Sequence, residues 1–98
     1  MLPLDLMTAP QVALQVAARV RAARLRRAWT QQDLADRAGM SLSSLRRFEQ
    51  TGQISFLSLV RIAFALDAVE ELAALFPERP ESLDDLLAPP TRKRGRRS

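Results

Sequence analysis

The first regularity in the chain is an apolar stripe at helical spacing. Val12, Val16 and Val20 recur every four residues, and the next position on that face is Arg24. Thr8 stands where a cap belongs, and Pro10 falls in the first turn, where its missing N–H has no helical partner. A first helix is therefore predicted from about Pro10 to Ala28. A charge in such a stripe requires a partner. Downstream, Thr30 and Asp33 have the spacing of a capping box, which predicts a short helix from Gln31 to Ala38 that stops at Gly39. Ser41 caps a third helix of about Leu42 to Gln50, Gly52 breaks the chain, and Ser55 caps a fourth that runs to about Leu66. Val69, Leu72, Ala73 and Phe76 give a fifth helix one apolar face, ended by Pro77 and Pro80.

Within this series, Leu34, Ala38, Met40, Leu45 and Phe48 occupy the inward positions of two helices folded across a tight turn. Ala35 is small where the second helix of the pair crosses the first, and Gly39 accepts the positive φ such a turn demands. Ser82 with Leu83, Leu86 and Leu87 predicts one or two further turns of amphipathic helix before Pro89 and Pro90. Thr91 to Ser98 contains no apolar residue and is expected to be disordered when free. The expected organisation is all-α: an N-terminal extension (1–9), a five-helix domain (10–77), a short acidic amphipathic segment (78–88) and a basic tail (89–98).

Composition removes most alternatives. The 98 residues include no cysteine and no histidine, so disulfides, Cys/His zinc sites, thiol nucleophiles and the usual neutral-pH general base are all missing. There is no Gly-rich phosphate loop and no spaced carboxylate motif, and adjacent Asp84 and Asp85 point in different directions on a helix. No enzymatic activity and no cofactor are expected. No apolar run approaches a membrane span, and Met1 to Met7 carries Asp5 and no basic residue, unlike a signal peptide. A cytoplasmic location is expected. The net charge of +4 is unevenly spread: residues 1–66 carry 9 basic and 4 acidic side chains, residues 67–85 carry 1 and 7, and residues 86–98 carry 5 and 0. A basic body suits a polyanionic partner, and the acidic stretch suits a surface turned away from it or toward something basic.

The run "WTQQDLADRAGMSLSSLRRFEQTG", followed by "LVRIAFAL", resembles the Xre/Cro, or lambda-repressor-like, class of helix-turn-helix domains over Val20 to Leu66. That resemblance implies double-stranded operator DNA as partner and helix three as the element that enters the major groove. Gln31 matches the glutamine that holds a DNA phosphate. Leu42 and Ser43 fall at the first two base-reading positions with Ser44 beside them, Arg46 and Arg47 follow one turn later, and Ser41 serves mainly as the cap. Leu42 departs from the polar residue usual there, so a thymine methyl is its expected contact. Arg47 could pair bidentately with guanine, whereas Arg46 could equally hold a phosphate. Glu49 matches a glutamate that pairs with a helix-one arginine, and Arg24, the charge in the apolar stripe, falls at the matching position. This pair is assigned to structure. Arg19, Arg21, Arg26 and Arg27 are expected to form a solvated face.

Phe56, Val60, Phe64 and Leu75 exceed what a small core needs, which favours a homodimer built on helices four and five. The run "FEQTGQISFLSLVRIAFALD", with "SLDDLL" and the basic tail, is also similar to antitoxins of the HipB type. That likeness implies autorepression of an operon and binding of a HipA-like kinase toxin. A stand-alone regulator is the alternative.

Overall fold

The computed structural model describes residues 3–76 and Glu78. A 3-10 turn, Leu4–Leu6, leads into α1 (Ala9–Arg26), α2 (Gln31–Ala38), α3 (Leu42–Thr51), α4 (Phe56–Ala65) and α5 (Val69–Ala73). Among the described residues the secondary structure is entirely helical. The 3-10 turn falls within the expected extension and was not anticipated. The predicted helix over Ser82 to Leu87 and the basic tail lie outside the described residues.

The first four α-helices begin on a hydroxyl side chain. Thr8, Thr30, Ser41 and Ser55 each accept a hydrogen bond from the backbone N–H three residues on, satisfying donors that a helix start leaves open. At Thr8 and Thr30 the bond is reciprocated by Gln11 and Asp33, completing capping boxes.

Three helix ends share another device. The chain turns through a left-handed residue, and the next N–H reaches back to a carbonyl five residues earlier: Trp29 to Arg24, Met40 to Ala35, and Ala68 to Ala63. The left-handed residues are Ala28 (φ 57°), Gly39 (φ 65°) and Asp67 (φ 59°). α1 therefore stops at Arg26, short of the predicted Ala28.

The core lies where α1 packs on α3 and α2 packs on both α3 and α4. Leu34, Leu45, Phe48 and Ile62 fill it, with Ala17 and Ala35 completely buried between the helices. Val16, Val20, Trp29, Met40, Ile54 and Leu59 pack around them. Gly52 (φ 80°) admits α1: a Cβ there would stand 2.9 Å from Ala13 backbone.

The fifth helix departs from expectation. Val69 and Leu72 are half-buried, but Ala73 is exposed and Phe76 is 91% exposed. α5 has no side-chain cap at Ala68 and closes after five residues, so Phe76 lies beyond its packed turn. The residue before a proline is also disfavoured in helical conformation, which weighs against continuation through Phe76.

Candidate nucleic-acid interface

α2 and α3 meet across Gly39, whose ψ of 38° completes a left-handed turn. Buried Ala35 and Ala38 keep the crossing close, and Leu34, Leu45 and Phe48 close it from the core side. The opposite side of α3 faces outward. Ser43, Ser44, Arg46, Arg47 and Gln50 are exposed there, while Leu42 is partly buried at the helix start. Ser41 fixes that start: its Oγ accepts from the Ser44 N–H at 3.1 Å and donates to Ser44 Oγ at 2.8 Å.

Beneath this face, Arg24 and Glu49 meet as a bidentate pair, Nε to Oε2 at 2.9 Å and the second guanidinium nitrogen to Oε1 at 3.0 Å. Both side chains are closed off, at 8% and 4% exposure. The remaining Arg24 nitrogen donates to the Trp29 carbonyl at 2.9 Å, so all its donor nitrogens are used. Burial alone would raise the Glu49 pKa. Hydrogen bonds from Arg24 and Gln31 and the charges of Arg24 and Arg21 outweigh it and hold Glu49 below the ordinary carboxylate value. Asp33 is likewise lowered, by the backbone and hydroxyl hydrogen bonds from Thr30 and then by the charge of Arg37.

The pair extends outward. Gln31 Nε2 donates to Glu49 Oε1 at 3.0 Å, and Arg46 Nε donates to Gln31 Oε1 at 3.3 Å. A chain of four side chains thus runs from the α1 core stripe to the exposed face of α3. Arg47 is held differently, donating to Gln53 in the loop after α3. Thr51 orders that loop, donating to the Arg47 carbonyl at 2.7 Å and accepting from the Gln53 N–H at 3.1 Å. Ser44, Arg47, Gln53, Ile54, Ser55 and Ser58 border a notch of about 240 Å³ between α3 and α4.

Two features escaped the sequence reading. Gln53 sits in a loop with no periodicity to mark it. Arg27, expected to be solvated, bridges α1 to the end of α4, donating to the Ala23 carbonyl at 3.0 Å and the Leu66 carbonyl at 2.9 Å. Arg27 and Arg37 also stand over the Trp29 ring, at 5.7 and 4.3 Å from its centroid.

A family model described as a helix-turn-helix domain matches residues 15–76. This chain belongs to that family. The match spans α2, the Gly39 turn and α3 together with the helices that support them, and the five-helix, all-α fold is of the lambda-repressor-like kind. No curated protein matches the chain. Among the described residues no group of His, Cys, Asp and Glu is arranged to hold a metal ion, and no helix is long and apolar enough to cross a membrane.

Proposed function

We propose that this helix-turn-helix protein is a sequence-specific transcriptional repressor that occupies its operator as a homodimer. One observation carries the reading: the outward face of α3 presents two serines and two arginines on a helix fixed by its Ser41 cap and by Leu45 and Phe48 in the core. In this reading Ser43, Ser44 and Arg47 face base edges, and Leu42 touches a thymine methyl. Gln31 and Arg46 hold phosphates, and Ser41 keeps the start of α3 in register.

Homodimerisation is supported by α4, which is apolar on both sides. Ile62 and Ala63 face the core, while Phe56 and Phe64, each 68% exposed, and Leu57, 59% exposed, face away. Such a helix calls for a second partner. A two-fold axis along it would set two α3 helices on one face of the duplex, on a palindromic site.

The decisive experiment is binding to DNA from the protein's own promoter, followed by anisotropy across a salt series. Arg47→Ala is expected to lose about 1–3 kcal/mol of discrimination at one base position. Arg46→Ala is expected to flatten the plot of log affinity against log salt by about 0.9 with little change in base preference. Unchanged binding by both variants would overturn the assignment of α3.

The antitoxin reading extends this one and rests on the likeness to HipB-type chains. Leu75 and Phe76, 58% and 91% exposed, leave further apolar surface for a protein partner. Affinity purification of the tagged protein expressed from its own operon tests it. A kinase-like protein recovered with promoter DNA supports an antitoxin that autorepresses, whereas promoter DNA alone returns the function to a stand-alone regulator.

A further inference from the structure

On the side of the fold formed by α1, α4 and α5 runs an open groove of about 530 Å³. Val16, Val20, Leu59, Ile62, Leu72 and Leu75 line it, and no residue of α2 or α3 does. Its charges are segregated. Arg19, Arg26 and Arg27 border it from α1, and Asp67 and Glu71 border it from the opposite wall. Arg27 is already engaged with backbone carbonyls, but Arg19 and Arg26 form no salt bridge among the described residues.

The chain itself carries a segment with the complementary pattern. Between Glu81 and Leu87 lie Glu81, Asp84 and Asp85, no basic residue, and three leucines, Leu83, Leu86 and Leu87, at the spacing of one helix face. We propose that this segment of the same chain docks in the groove, leucines inward and Asp84, the carboxylate that borders the leucine face, against Arg19 and Arg26. The charge distribution fixes the direction of the segment, because the reverse direction would set Asp84 against Asp67 and Glu71.

Reach permits it. Leu75 already lines the groove, and the seven residues from Phe76 to Ser82 span up to about 25 Å when extended. The α1 wall from Val16 to Arg26 is about 15 Å long. So short a tether gives an effective concentration in the millimolar range, so even a weak intrinsic affinity suffices. Docking here would keep this acidic segment off the α3 face, where it would oppose DNA. The site is also separate from the outer face of α4.

The lack of native cysteine makes the test direct. Ser82→Cys in the full chain takes a single nitroxide label, and amide signal loss is mapped against the reduced label. Strong loss at Val20, Ala23 and Leu72, with Ser43 and Ser44 unaffected, is expected. The contrast should vanish in Arg19→Glu/Arg26→Glu and return when Asp84→Arg is added. Uniform loss, or no loss in the groove, would overturn the proposal. So would groove loss appearing only on isotope-labelled, nitroxide-free chains mixed with nitroxide-bearing chains, which would make a second copy the occupant.

Discussion

Replacing Glu49 with alanine tests the central inference about what the buried ion pair does. The change removes the acceptor of two Arg24 hydrogen bonds, at 2.9 and 3.0 Å, and of one from Gln31 at 3.0 Å. Arg24, with only 8% of its side chain exposed, would keep just the Trp29 carbonyl as partner. An uncompensated buried charge of this kind destabilises by about 3–5 kcal/mol. For a domain of this size each kcal/mol shifts Tm by about 4–8 °C, so a fall of at least about 12 °C is expected. Far-UV circular dichroism melts would measure it. Arg24→Met/Glu49→Leu removes both charges while keeping apolar volume, and should melt much closer to the parent. If Glu49→Ala left Tm within a few degrees, or the double variant fell as far as the single one, the stranded-charge argument would be wrong.

Three further outcomes follow from local geometry. Gly52→Ala combines a positive φ with a Cβ 2.9 Å from Ala13 and should cost about 2 kcal/mol or more in urea unfolding. Gly39→Ala, with nothing within 4 Å of its added Cβ, should cost only the left-handed penalty of about 1–2 kcal/mol, and equal losses at the two sites would refute the contact argument. Ala28→Gly relieves an alanine held at φ 57° and should raise Tm by a few degrees, the gain being limited to about 1 kcal/mol by the greater unfolded-state freedom of glycine. Because the fold lowers the Glu49 pKa from 4.5, the stability it contributes is present above that value and is lost as pH falls through the folded value; urea midpoints between about pH 5.5 and pH 3 should decline less steeply in Glu49→Gln than in the parent.

The starts of α1 to α4 were legible because each is marked by a hydroxyl residue whose side chain does the capping, whereas α5 follows Ala68, which provides no side-chain cap. The helix ends were legible only in part. Three of them use the same left-handed reversal, but just one places glycine there, and Ala28 and Asp67 carry no such mark. The boundary of α1 was accordingly placed two residues late. Arg24 could be singled out because a charge in an apolar stripe contradicts its surroundings, and the conflict itself points to a partner. Arg27 contradicts nothing locally, and its bond to the Leu66 carbonyl spans 39 positions. The α5 face failed for a different reason: apolar spacing specifies which residues would share a face, but not that the helix lasts long enough for them to do so.

The two arginines in the middle of α3 differ in what holds them, and in the proposed DNA-binding reading this bears on how the surface would discriminate among sequences. Arg46 is the last link of a chain that leads through Gln31 and Glu49 to a guanidinium with no free donor nitrogen. Moving it disturbs partners that are themselves tied to the core. Arg47 rests on a loop glutamine, an uncharged and exposed partner that a base edge or a phosphate can replace. A positioning contact benefits from a side chain already held in place, because less rotamer freedom is lost on binding. A base-reading contact must be able to release its resting partner for guanine and keep it when the base is wrong. If Arg47 reads a base as proposed, Gln53 would contribute to the discrimination by giving Arg47 an alternative hydrogen bond, which lowers the gain from an imperfect one. In the proposed reading the Arg24–Glu49 pair would serve the interface in the same indirect way, by fixing where Gln31 and Arg46 stand.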